Sequence, residues 1–463
     1  MRRMREAVLP LAGNDEHLPK TVREFHEKYK GISRILDDHP EILELAHEDF
    51  QRISHGSPKA RKGKRGGKGR SADFTSETIL RALIVHAIEG GSFRETEVRI
   101  AESEFLQDFV RTRKKAVMAY NFLDRCFQAV RPGTWKRINA LLGLRAKEEA
   151  KIDPAVIRTD TTVVETNIHW PTDSSLLWDT WRVASRLLKR GRKISRESCP
   201  HRFHDKKTKR LHLFITRYAK SASKKRQRAV KTAYRALIER VESIVEIAAF
   251  FCRWAPYCND LELDALVAEL KGFLPSMKRV VVQSRRGKLA GEKVPAAERV
   301  YSIFEPHTEL IKRGRREKPV EFGHGVLLCQ TREKFITDYE AFAQRPADCH
   351  LTEQVIDRHE ELFGERPKVL AGDKGFCPDE EKYAELAEQV ETLAIPRRMR
   401  DFADKALALW QMFRAGIEGT ISGLKRAFRL ARCHYRGFKR FQAALSLGVF
   451  AHNLVVLARQ GPT

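Results

Sequence analysis

Arg414, Glu418 and Lys425 stand four and seven residues apart in the stretch QMFRAGIEGTISGLK, residues 411–425. On a helix that spacing brings all three within roughly 40° of one another, so one carboxylate is flanked by two cations. Ile417, Ile421, Leu424 and Phe428 form an apolar stripe beside them, which places the charged trio at the edge of a buried face. Two further acids sit where an acid is costly. Asp160 lies in the middle of AVIRTDTTVVETN, and Asp373 ends the apolar run of VLAGDKGF. Three carboxylates sharing one pocket repel one another, an arrangement that makes sense with divalent cations between them. Hard oxygen ligands select Mg²⁺ or Mn²⁺. Two such ions can activate a water or a 3′-hydroxyl on one side of a phosphodiester and stabilise the leaving oxygen on the other. The chemistry indicated is phosphoryl transfer on DNA, with Asp160, Asp373 and Glu418 as catalytic and metal-holding groups.

Each of these residues also has an ordinary explanation. A solvated helix shows Arg, Glu and Lys at such spacings. An Asp beside Gly forms turns, and a strand Asp can be satisfied by backbone amides. Gly416, Gly419 and Gly423 weaken a helix by roughly 1 kcal/mol each relative to Ala, which suggests close backbone approach. A glycosidase also uses two carboxylates but has no need of a third acid or of strong positive charge.

The elements that would position these groups follow from the local pattern. The β-branched run after Pro154 predicts a strand carrying Asp160 on the same face as Thr162. MKRVVVQ, RVYSIFE and VEFGHGVLLCQ read as further strands, a helix spans 351–362, and KVLAGDKGF places Asp373 at a strand's C-terminal end, where open α/β sheets collect functional groups. TLAIP gives a last short strand, and the chain after Asp401 reads as helical.

Upstream the pattern is all-α. Helical periodicity covers 18–54, with Pro40 opening a second segment, and residues 1–57 form an N-terminal helical segment. Residues 58–72, which take in most of SPKARKGKRGGKGRS, alternate cations with Gly and read as a basic linker. Residues 73–150 form a helical region in which Ser76 caps one helix, Gly90-Gly91 ends it, and Ser92 with Glu95 opens the next by a capping box. That arrangement suits a DNA-binding helix-turn-helix, and an αα-hairpin in any bundle shares it. A single helix is expected from Tyr120 to Leu142. Residues 151–463 make the catalytic domain, with a basic helical insertion at about 174–298.

The charge balance points the same way. With 87 Lys and Arg against 61 Asp and Glu, the 463-residue chain carries a formal charge of +26. Nucleic acid is the partner such an excess favours. A membrane partner is not expected, since no stretch of about 20 apolar residues or signal peptide stands out. The eight cysteines form no Cys-x-x-Cys pair, consistent with a reducing cytoplasm. Cys199, His201, His204 and His212 match no common zinc spacing. In the insertion, Lys189, Arg190, Arg192 and Lys193 are candidate DNA contacts.

IRTDTTVVETN, WPTDSSLL, EPHTELIKRGRREKPVEFG, VLAGDKGF and IEGTISGLKRAFRLARCHYRG, in that order, resemble the DDE transposases of bacterial insertion sequences, most closely the ISNCY type. The resemblance implies an α/β fold: an RNase H-like mixed sheet flanked by helices, with a large helical insertion after the first strand. It implies Asp160, Asp373 and Glu418 as the metal-binding triad. It also implies a Tyr-x2-Arg-x3-Glu-x6-Lys signature in which Arg414 and Lys425 contact phosphates, with Gln411 standing where the family has tyrosine. Arg432, His434 and Arg436 are expected on the DNA backbone. Glu165, Glu305 and Glu321 are competing acids, with Glu321 next in line should Glu418 prove remote. The activity implied is binding of terminal inverted repeats, cleavage and strand transfer into target DNA, with a homodimer pairing the two ends. A catalytically inactive, domesticated DNA-binding relative and a nuclease without strand transfer share many of these features.

Overall fold

A computed structural model describes residues 2–5, 15–53, 74–112, 117–195, 201–312, 319–397 and 404–461. The basic linker 58–72, Cys199 and the cations within 313–318 lie outside the described residues. The chain divides into two compact units, one formed by Met1–Glu165 with His324–Thr463, the other by Thr166–Gly323.

The first unit begins with helices. α1 (Lys20–Asp38) and α2 (Pro40–Phe50) are separated at Pro40, which takes the first helical position where its missing N–H costs nothing. α3 (Ser76–Glu89) is capped by Thr75, whose side chain accepts from the Thr78 N–H. Ser76, the cap expected from sequence, is instead buried, with its Oγ 2.7 Å from His47 Nδ1. Gly90 and Gly91 both adopt positive φ, and Ser92 and Glu95 close a capping box on α4 (Phe93–Glu102). After α5 (Glu104–Val110), the expected single helix from Tyr120 is two helices, α6 (Tyr120–Ala129) and α7 (Pro132–Glu148). Pro132 cannot continue α6 but suits the start of α7. Arg81, fully buried, is held by Glu77, Asp37 and Ser33, an ion network that ties α1 to α3.

A seven-stranded mixed sheet follows, in the order β2-β3-β1-β5-β6, with β4 on β3 and β7 on β1. Its members are β1 (Val156–Thr166), β2 (Glu309–Lys312), β3 (Val320–Thr331), β4 (Ile336–Ala341), β5 (Val369–Ala371), β6 (Thr392–Ala394) and β7 (Arg432–Cys433). β1 runs parallel to β5, with Arg158 opposite Ala371, and β5 runs parallel to β6. Apolar clusters line both faces of the sheet. α12 (Thr352–Phe363) and α13 (Glu380–Glu388) contribute to one cluster; α14 (Lys405–Arg426) and α15 (Phe438–Arg459) contribute to the other. α15 is long and apolar enough to cross a bilayer, but 72% of its apolar window is buried. It is the core helix against which α1, α3 and α7 pack.

The second unit is mainly helical: α8 (Asp173–Ile194), α9 (Asp205–Tyr218), α10 (Lys224–Trp254) and α11 (Leu261–Ser284) share one apolar core. Thr172 caps α8 through a capping box. MKRVVVQ, expected as a strand, is the last part of α11. Leu263, Leu266, Leu270, Met277, Val280 and Val281 recur at helical spacing and are buried, and that longer period outweighs the local β-branched content. RVYSIFE forms bends in place of a strand, with Val300 and Ile303 buried.

Candidate active site

β1 presents Arg158, Asp160, Thr162 and Val164 at alternate positions along one face. Val164 packs into the cluster that contains Ile417 and Leu424 of α14. Arg158 fastens the strand to that helix. Its Nε donates to Gln330 Oε1 of β3 at 2.8 Å, its Nη1 to the Phe413 carbonyl at 2.7 Å, and its guanidinium lies 4.8 Å from the centre of the Phe413 ring. Gln330 Nε2 in turn donates to Thr420 Oγ1 at 2.6 Å. A Cβ at Gly416 would lie 2.1 Å from Arg158 Nη1, so glycine is what lets the guanidinium reach the helix backbone. The close approach expected at Gly416, Gly419 and Gly423 is found at Gly416, where the Arg158 guanidinium makes it, and not at Gly419 or Gly423, where a Cβ would meet open space. Sequence reasoning passed over Arg158 and Gln330. The available signal was an Arg two residues from Asp160, hence on the same strand face.

This clamp sets Asp160 opposite Arg414. Arg414 Nη1 lies 3.6 Å from Asp160 Oδ2 and 3.5 Å from Glu418 Oε1, so one nitrogen spans two of the three expected acids. Asp160 Oδ1 accepts from the Thr161 N–H at 2.7 Å. The Asp160 side chain is 16% exposed and that of Glu418 66%. Burial pushes the Asp160 carboxyl up to about 6, and the charge of Asp373 adds to the rise. The Thr161 amide and Arg414 oppose the rise, while Glu418 contributes a smaller push in the same direction. Asp160 therefore feels both of the other acids. Arg414 Nε is buried without a hydrogen-bond partner.

Asp373 follows β5 after Gly372 and caps a short 3-10 turn (Lys374–Phe376), its Oδ1 accepting from the Gly375 N–H at 2.8 Å. Gln411 holds this corner to α14: its Nε2 donates to the carbonyls of Gly372 and Ala394, both at 3.0 Å. Gln411 thus ties the ends of β5 and β6 to the helix of Glu418. Beside this corner, Arg345 Nη2 donates to Thr161 Oγ1 at 2.9 Å and to Asp348 at 2.7 Å, a set that sequence reasoning did not identify.

The other expected contacts are distributed more widely. Lys425 is half-buried on α14, and Arg432, His434 and Arg436 are exposed. Arg432 pairs with Glu165 Oε2 at 2.7 Å, joining β7 to the end of β1. Arg432 and His434 also line a cavity of about 440 Å³, together with Gly90, Gly91 and Phe93 of the α3–α4 corner. Among the four α8 cations, Lys189 pairs with Asp205, Arg190 lies 3.4 Å from Glu269, and Arg192 donates to the His201 carbonyl at 3.0 Å. Lys193 is exposed. Glu305 is buried, 2.7 Å from His307, and Glu321 lies opposite Ile311 in the β2–β3 pair. His212 stacks on Trp178.

Among the described residues, no three His, Cys, Asp or Glu side chains stand close enough to cage a metal ion. The donor set nonetheless fits a hard cation. Its members are carboxylates, Asp160 resists ionisation without a compensating charge, and the Arg414 guanidinium spans two acids as a resident cation.

Residues 307–454 match the family model described as a transposase DDE domain. The matched stretch holds Asp373, Arg414, Glu418 and Lys425, and Asp160 precedes it. No curated protein and no solved structure matches the chain. The family match, with a mixed seven-stranded sheet flanked by helices, supports a DDE transposase and implies action on DNA.

Proposed function

We propose that this chain is the transposase of a bacterial insertion sequence of the ISNCY type, which binds terminal inverted repeats, cuts DNA at the element's ends and transfers the strands to target DNA. The observation that carries the reading is the single guanidinium of Arg414 spanning Asp160 and Glu418, where Asp373 and Glu418 both raise the proton affinity of Asp160. Asp160, Asp373 and Glu418 would hold Mg²⁺ or Mn²⁺ on an RNase H-like sheet. Bound there, such ions supply a polarised nucleophile and neutralise the leaving oxygen.

The chain's own residues have separable tasks. Arg158 and Gln411 fix α14 against β1, β5 and β6, so the strand acids and the helix acid keep one geometry. Arg414 compensates Asp160 and Glu418 and would contact a phosphate of DNA bound beside them. Lys425, Arg432, His434 and Arg436 contact the DNA backbone near the element's end, and the α3–α4 corner supplies a helix-turn-helix contact. Two copies of the chain pair the two ends.

The test is cleavage and joining of a labelled duplex carrying the element's own end, in Mg²⁺, Mn²⁺ or EDTA, by wild type and by Asp160→Ala, Asp373→Ala and Glu418→Ala. The expected result is metal-dependent nicking and strand joining by wild type, a fall of at least about 10³-fold in each variant, and retained DNA binding. Nicking without joining would reduce the reading to a nuclease. Tight binding without nicking in any metal would leave a DNA-binding protein only.

A further inference from the structure

We infer that the α9–α10 hairpin is an arm that holds duplex DNA by its phosphate backbone without reading sequence, a role that rests on the action on DNA proposed above. From Lys206 to Ile238 the chain has twelve Lys and Arg and no Asp or Glu. At the chain's overall acid content about four acids would be expected in a segment of that length. All twelve cations are exposed. Among the described residues none of them forms an ion pair, in contrast to Lys189 and Arg190 of α8, which meet Asp205 and Glu269.

The pattern has a direction. Lys224, Arg228, Lys231 and Arg235 recur at offsets of four, seven and eleven, which on α10 makes one straight stripe roughly 16 Å long. The opposite side of the helix carries the apolar residues Ala233, Leu237 and Val241 of the unit's core. The stripe begins at the helix N-terminus, where cations oppose the macrodipole. The first turn of α10 has no acid, and Ser223 provides no side-chain cap bond. A segment selected for its own stability would place acids there. This one concentrates cations and the positive end of the dipole at the same tip, a combination that favours a polyanion.

The chemistry of the patch narrows the polyanion to duplex DNA. Single-stranded nucleic acid is gripped by exposed aromatic faces. Here Phe214 and Tyr218 pack on each other, half-buried, with Arg226 over the Tyr218 ring. A membrane surface takes an apolar helix face together with cations. On this arm Leu213 is the exposed large apolar side chain near the cations, Phe250 is exposed only at the far end of α10, and the apolar face of α10 is occupied by α8 and α11. With one phosphate charge per about 1.7 Å of duplex axis, the stripe faces a run of phosphates and presents little to distinguish one base from another.

The test uses the full-length protein and a variant carrying Lys224→Gln, Arg228→Gln, Lys231→Gln and Arg235→Gln. Binding to an element-end duplex and to a scrambled duplex of equal length is followed by fluorescence anisotropy from 50 to about 300 mM salt. The expected result is at least about tenfold weaker binding of both duplexes at low salt, a salt slope shallower by about 3 to 4, and an unchanged ratio between the two. Because the substitutions remove charges that oppose the α10 dipole, the melting temperature should stay level or rise. Should that variant fail to fold, Lys206→Gln, Arg210→Gln and Arg217→Gln on α9 should shift both affinities in the same way. Unchanged affinity and slope would overturn the arm, as would loss confined to the element-end duplex, or binding of anionic vesicles in preference to either duplex. Failure of the arm alone would leave metal-dependent cleavage by wild type intact. Failure of the transposase reading would show as absent cleavage with the salt-dependent arm contact still present.

Discussion

Asp160 concentrates the energetic tension of the site in one side chain. Its carboxyl is held at about 6 against an ordinary 3.8, chiefly by burial and then by Asp373. Between those values the folded protein binds more protons at this residue than the unfolded chain, so its contribution to stability falls as pH rises through about 4 to 6. At neutral pH the unfavourable term is roughly 3 kcal/mol for the metal-free protein. Asp160→Asn should therefore melt higher than wild type at pH 7 in EDTA, with the gap closing below pH 4. Equal melting temperatures across the whole range would show that the acids do not strain one another. Gly416 is constrained at the same scale. Gly416→Ala must displace Arg158 and should cost about 1–3 kcal/mol in a denaturant melt together with cleavage activity. A Cβ at Gly419 or Gly423 meets open space, so Ala there should stabilise the protein by roughly 0.5–1 kcal/mol.

At the scale of elements, the site depends on how α14 is attached to the sheet. Arg158 holds the helix at the Phe413 carbonyl and Gln330 holds it at Thr420, while Gln411 fastens it to the ends of β5 and β6. Gln411→Ala should cost about 1–2 kcal/mol for its two buried acceptors and lower cleavage tenfold or more, with DNA affinity unchanged. Loss of affinity without loss of turnover would place Gln411 on the DNA instead. Much of this element structure is legible in local sequence: the β-branched run around Asp160, the Gly-Asp-Lys-Gly corner after β5, and the capping box at Ser92 all have short-range signals. The clamps are not. Arg158 and Gln330 are 172 residues apart, and nothing within either segment announces the other. The Val280–Val282 run shows the opposite failure, where a local preference for strand yields to the long apolar period of α11.

At the scale of the molecule, the candidate site and the acid-free run of cations fall in different units. The unit with the acids joins residues before Glu165 to residues after His324, and the intervening unit carries the acid-free hairpin. Composition made the DNA partner legible as an overall excess of +26, but it could not say which cations are engaged within the protein and which face solvent. Lys189 and Arg190 stood out in sequence beside equally basic neighbours, and three-dimensional pairing with Asp205 and Glu269 is what sets them apart. The α9–α10 cations have no such acids within their own segment.

Mn²⁺ binding followed by water-proton relaxation between pH 5 and 8 tests, without requiring turnover, whether Asp160, Asp373 and Glu418 act as one metal-holding unit. Wild type should bind more tightly as pH rises through about 6, where Asp160 ionises. Asp160→Asn and Asp373→Asn should each lose at least tenfold in affinity together with that pH step, and Glu418→Gln should weaken binding less, in keeping with its greater exposure. Equal Mn²⁺ affinity in wild type and all three variants would contradict the account.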